Sequence, residues 1–332
     1  MSRTMRRSHR RHIAVVAMGA VSIGLVACSS GQREAVAIPA VFDLQHDPTA
    51  GIAPVDPTRT NVLPADALRG ALEDALTWHG ITLVQVMRSA RSGSPDLQTW
   101  IDALAKNTDD ITAAVGLVYG PVGAKAFNQQ WAQHTQFLLD YAEAIGHGDH
   151  GAAETALAKL RAYAKDNGSL FQTATGGILG ADAVQGLLNT HIDHMIAMIT
   201  ADDDSDVAGA RDAAVMDNGY LQTIGGALAG AIAQQQSGAF PGSTDTPTAA
   251  YCTIVRRDTG GLVLTHLLTA DATDAAIGTA TAALTTTLGA DITATIGSTD
   301  GLRGDAPTAI TTAGTLLQGA QTYAIAHVPA AP

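Results

Sequence analysis

The chain has 332 residues, 46% hydrophobic and 15% charged, with 31 acidic side chains against 19 basic ones. That length suffices for one large domain or two smaller ones. The acidic balance excludes nucleic acid as a partner, because phosphate binding needs clustered Lys and Arg, and it argues equally against charge-driven adsorption to anionic lipid.

Residues 1–27 divide into the parts of an export signal. Arg3, Arg6, Arg7, Arg10 and Arg11 fill the first twelve positions without an acidic residue, and residues 13–27 are apolar. As a helix that run spans about 22 Å, short of the roughly 30 Å of a bilayer core, so a cleaved signal is expected rather than a permanent span. The ending Leu25-Val26-Ala27-Cys28 resembles the lipobox of bacterial lipoproteins. That resemblance implies cleavage before Cys28, lipidation of its thiol, and a protein held on the extracytoplasmic face of the cell membrane. With 14 basic and 31 acidic residues left, the mature chain would carry −17. Its lipid would then supply the attachment that its charge does not.

Residues 28–62 contain Pro39, Pro48, Pro54 and Pro57 and no sustained periodicity. They read as a lipidated N-terminus and an extended tether, on the order of 110 Å if fully stretched. Helical patterning begins at Pro64-Ala65-Asp66, after which Leu68, Leu72, Leu76, Leu83 and Val86 recur at threes, fours and sevens. Further apolar stripes run through 96–105, 109–118, 123–145, 151–165, 181–200, 206–216 and 219–236. Gly93, Gly120-Pro121, Gly146 to Gly151, Gly176-Gly177 and Asp202 to Asp206 separate them. Strand signals are scarce. The expected fold is all-α, an antiparallel helical bundle or stack of helical hairpins over 63–242. A linker at 243–249 precedes a shortened second helical repeat at 250–332. Cys252 lies in the apolar stretch Ala249 to Val255, and with Cys28 assigned to the lipid a buried thiol is expected there.

The second repeat emerges from comparing the chain with itself. Asp110-Ile111-Thr112-Ala113 reappears as Asp291-Ile292-Thr293-Ala294, His79 aligns with His266, and His134 aligns with His327, all in the same order. A shorter period lies inside the first copy, where His79, His134 and His191 stand 55 and 57 residues apart.

Residues 64–242 resemble an uncharacterised family of exported bacterial helical proteins, some of them labelled copper amine oxidase-like by association. The residues that carry the resemblance are Asn107-Thr108-Asp109-Asp110 with Tyr119-Gly120, then Trp131, His134, Phe137 and Asp140-Tyr141. Ala174-Thr175-Gly176-Gly177, His191 and Phe240-Pro241 complete the set. The resemblance implies an exported helical fold and no particular activity. The family's His-Met pair near the start of its last helix is missing, and Val215-Met216-Asp217-Asn218-Gly219-Tyr220 stands there instead.

His191, His194, Met195 and Met198 share one helix face, and imidazole with thioether suits copper. The internal repeat aligns Met195 and Met198 with apolar positions, so core packing is expected of both methionines. Only His79, His134 and His191 recur. Either each imidazole is hydrogen-bonded within the bundle, or the three converge on a copper or other transition-metal ion with Asp140 or another carboxylate nearby. His194 is a further candidate ligand. Gly146 to Gly151 and Asp202 to Asp206 are expected to be polar turns. No residue set for an enzyme stands out. The leading expectation is a non-enzymatic envelope lipoprotein that presents a helical surface to another envelope protein. The alternative is a periplasmic metal-binding protein.

Overall fold

The computed structural model describes residues 64–269, and every regular element among them is a helix. They are α1 (Ala65–Ser92), α2 (Leu97–Gly146), α3 (His150–Ala174), α4 (Ala181–Asp203), α5 (Val207–Gln235) and α6 (Pro247–Thr269). Short loops set successive helices side by side as hairpins. α1 packs on α2 and α5, α3 lies between α2 and α4, and α4 packs on α5, so the first five helices close into a ring. α6 lies over α1 and α5. The all-α bundle expected from the sequence is therefore the fold. No helix among the described residues is long and apolar enough to cross a membrane. The signal, the tether and most of the second repeat, including Asp291 to Ala294 and His327, lie outside the described residues.

The punctuation in the sequence sets the boundaries. Gly93 takes a left-handed conformation (φ 62°) and caps α1: its N–H donates to the Ala90 carbonyl and that of Ser94 to the Ser89 carbonyl. Asp149 and Asp206 start α3 and α5, their carboxylates accepting from the backbone N–H of Ala152 and Gly209. Asp202, in the second acidic turn, receives Arg88 and Arg91 from α1. Three gaps between apolar stripes do not end helices. The stripes at 96–105, 109–118 and 123–145 join into α2, kinked at Gly120 (φ 72°, ψ −179°), a conformation nearly confined to glycine and one that Pro121 tolerates before it. The stripes at 206–216 and 219–236 join into α5.

Apolar faces meet in layers. The main core holds Leu83, Met87, Leu138, Leu160, Ile192, Met195 and Met198, and α6 adds Leu264 and Leu268. A second cluster holds Leu76, Ile111, Phe127, Trp131, Leu221 and Ile224. A third surrounds Leu68, Val118, Tyr119 and Ile232, with Phe240 against it. Each fully buried Leu or Met contributes on the order of 1.5–3 kcal/mol. The turn Phe240-Pro241 is tied back to the start of the bundle, since Ala65 donates its backbone N–H to the Pro241 carbonyl.

α6 is fastened by charge as well as by its leucines. Glu73, fully buried on α1, meets Arg69, Arg256 and the Thr253 hydroxyl, and Arg256 also reaches Asp74. Desolvation raises the pKa of Asp74, and Arg256 works against that rise. Cys252 is buried, as expected. It is disulfide-bonded, however, where a thiol was expected. The expectation of a thiol followed from assigning Cys28 to a lipid, and Cys28 lies outside the described residues.

Candidate metal centre

The recurring histidines sit where the main core meets the second cluster. His79 follows Leu76 and precedes Leu83 on α1, His134 lies between Trp131 and Leu138 on α2, and His191 precedes Ile192 on α4. Helical spacing turns each of them inward with its apolar neighbours. All three are buried, at 0%, 3% and 3% exposure. One ring nitrogen from each comes within 4.8 Å of the other two. Three imidazoles from three helices thus form a polar layer between two apolar ones.

Hydrogen bonds fix which nitrogens face the centre. His134 Nδ1 is 2.5 Å from the Trp131 carbonyl oxygen, which can only accept, so Nδ1 carries the proton. Burial and the nearby His191 hold the His134 pKa down at about 3, so at neutral pH its Nε2 bears a lone pair. That lone pair accepts from His79 Nε2–H, 3.3 Å away. Burial, with His134 and His191 alongside, also keeps the His79 pKa well below its usual value, and Asn107 works weakly in the opposite direction. His191 Nδ1 lies 2.8 Å from Asp217 Oδ1, and its Nε2 has no partner. Burial alone would raise the Asp217 pKa, but His191 and His194 together hold it below 3.8. The carboxylate is ionised and accepts from His191 Nδ1–H.

Aromatic rings brace this layer. His134 stacks on Tyr163, with ring centres 5.0 Å apart, and Trp131 lies 4.6 Å from His134 and 4.7 Å from His79. A cavity of about 40 Å³ adjoins the three imidazoles.

The trio foreseen from the repeat is brought together, and His194 is not part of it. His194 Nδ1 lies 3.4 Å from Asp217 Oδ1, so it shares the carboxylate rather than the centre. Met195 and Met198 are fully buried in the main core and do not line the cavity, so the four-residue copper face does not act as a unit. The neighbouring carboxylate is Asp217 rather than Asp140, which accepts from Gln136 on the outer side of α2. Asp217 belongs to the segment that stands where the resembling family carries its His-Met pair. The signal that could have exposed it is a polar pair, Asp217-Asn218, interrupting an apolar stripe. Both residues are buried, and Asn218 donates to the Arg257 carbonyl.

The geometry suits a cation. Ligand nitrogens of a tetrahedral ion bound at about 2.0–2.1 Å stand roughly 3.3 Å apart, the spacing His79 and His134 already have. One ring nitrogen of His191 stands within 4.8 Å of those of the other two. Asp217 behind His191 and the Trp131 carbonyl behind His134 are the outer-shell acceptors that fix the tautomer of a ligating imidazole. Comparisons with family models, curated proteins and solved structures found no match to this chain.

Proposed function

We propose that the bundle is a transition-metal-binding domain of a lipid-anchored envelope protein, with His79, His134 and His191 as the protein ligands of one ion. The observation that carries this reading is the convergence of three buried imidazoles from three helices, with the outward Nδ1 of His134 and of His191 each held by an acceptor. A purely structural histidine has both ring nitrogens satisfied by the bundle, whereas His191 Nε2 has no partner and the three rings share one cavity. An all-imidazole set suits zinc or copper, and the distance of Met195 and Met198 from the cavity weighs against a thioether-stabilised Cu(I) site.

The anchor rests on the lipobox at Cys28. Calorimetric titration of the purified, chelator-stripped full-length protein with zinc and copper tests the metal reading. Binding of one ion tighter than micromolar, lost in His134→Ala and His191→Ala, is expected. No binding, or binding that both variants retain, would remove these residues from the function.

A further inference from the structure

Three protein ligands leave a four-coordinate ion one open position, and the cavity beside the imidazoles decides what can occupy it. Beside the buried histidines it is lined by Phe171, Leu179, Leu187 and Leu228, which are only partly buried and so form its side nearer solvent. Apart from the histidines, the one lining side chain with a polar atom is Trp131, whose indole N–H is buried and has no hydrogen-bond partner. One water molecule needs about 10–15 Å³ of such space, so the roughly 40 Å³ available holds about three heavy atoms.

The segment Thr175-Gly176-Gly177, which the trio itself does not use, shapes that side. The Thr175 hydroxyl, 1% exposed, donates to the Phe171 carbonyl at 2.7 Å and accepts from the Leu179 backbone N–H at 3.1 Å. It thereby fixes the two lining residues that flank the loop between α3 and α4. Gly176 and Gly177 follow at φ 63° and 87°, left-handed conformations that turn the chain back sharply enough for Leu179 to return to the cavity.

We infer that the cavity is a binding site for a linear molecule of two or three heavy atoms. That molecule donates a lone pair to the metal and receives the Trp131 indole N–H at its far end. This inference rests on the metal-centre reading. Aliphatic walls disfavour hydrated or branched ligands, and the volume excludes rings.

The test uses full-length protein loaded with one equivalent of Cu(II), with azide as the probe and imidazole as the oversized control. Loading is followed first by the copper ligand-field spectrum and by electron paramagnetic resonance. Failure at that step overturns the metal-centre reading and the inference with it. With copper bound, azide should give a new charge-transfer band and a saturable titration, while imidazole leaves the spectrum unchanged at about 100-fold the azide Kd. Leu228→Ala widens the cavity and should admit imidazole. Ala227→Leu narrows it and should weaken azide about tenfold or more while copper stays bound. Copper bound without an azide response, equal binding of azide and imidazole, or indifference of both probes in two folded variants would overturn the inference and leave the metal centre standing.

Discussion

Acid should loosen the metal-free bundle well before its carboxylates protonate. His134 is neutral in the folded chain because its pKa is held at about 3, whereas in the unfolded chain it titrates near 6.5. Below pH 6.5 the unfolded state therefore binds a proton that the folded state refuses. The stability conferred by this group is complete above about pH 7.5 and falls as pH drops, until the folded pKa is reached. At 1.36 kcal/mol per pH unit, the loss between pH 8 and pH 5 is about 2 kcal/mol for His134 alone. His79, whose pKa is also lowered well below 6.5, adds to the loss with the same sign. Asp217, held below 3.8, contributes stability that persists through this window and disappears only at lower pH. Urea denaturation of chelator-treated protein, followed by far-UV circular dichroism at half-unit steps from pH 8 to pH 5, measures the slope. His134→Gln should reduce the pH-dependent loss by about 2 kcal/mol. Zinc at 100 times its Kd should return about 2.7 kcal/mol to the parent at a given pH. A parent whose stability is flat from pH 8 to pH 5 would refute the claim that these imidazoles are buried and neutral.

Asp217→Asn keeps the shape but replaces an ionised acceptor with a neutral amide, so zinc affinity measured by calorimetry should fall by about 10- to 100-fold with little change in fold. The membrane-bound protein should carry a lipid on Cys28, seen by intact-mass analysis. A mature chain without that added mass would refute the anchor.

Much of this architecture could be read from the chain because its signals are local. The left-handed cap at Gly93 and the Asp149 and Asp206 caps appear as breaks in an apolar period. The recurrence of His79, His134 and His191 in helices of like pattern singled them out before their convergence was known. What escaped depends on contacts between helices. The gap at Lys106-Asn107-Thr108 looks like a turn, yet Asn107 is buried and donates to the Ala75 carbonyl on α1. The gap at Asp217-Asn218-Gly219 looks like another, yet α5 runs straight through it and turns Asp217 toward His191. A polar residue inside an apolar stripe costs little in a helix when a partner waits on the next one, and that partner cannot be seen in one dimension. Which carboxylate stands beside the trio, Asp140 or another, is hidden in one dimension for the same reason, and it is Asp217.

The most direct test of the metal centre is the X-ray absorption spectrum at the metal edge of full-length protein loaded with one equivalent of zinc. Three imidazole nitrogens at about 2.0–2.1 Å are predicted, with imidazole scattering lost in proportion when His134 or His191 is replaced by alanine. A shell of oxygen alone, a sulfur ligand at about 2.3 Å, or an imidazole count unchanged in both variants would contradict the account.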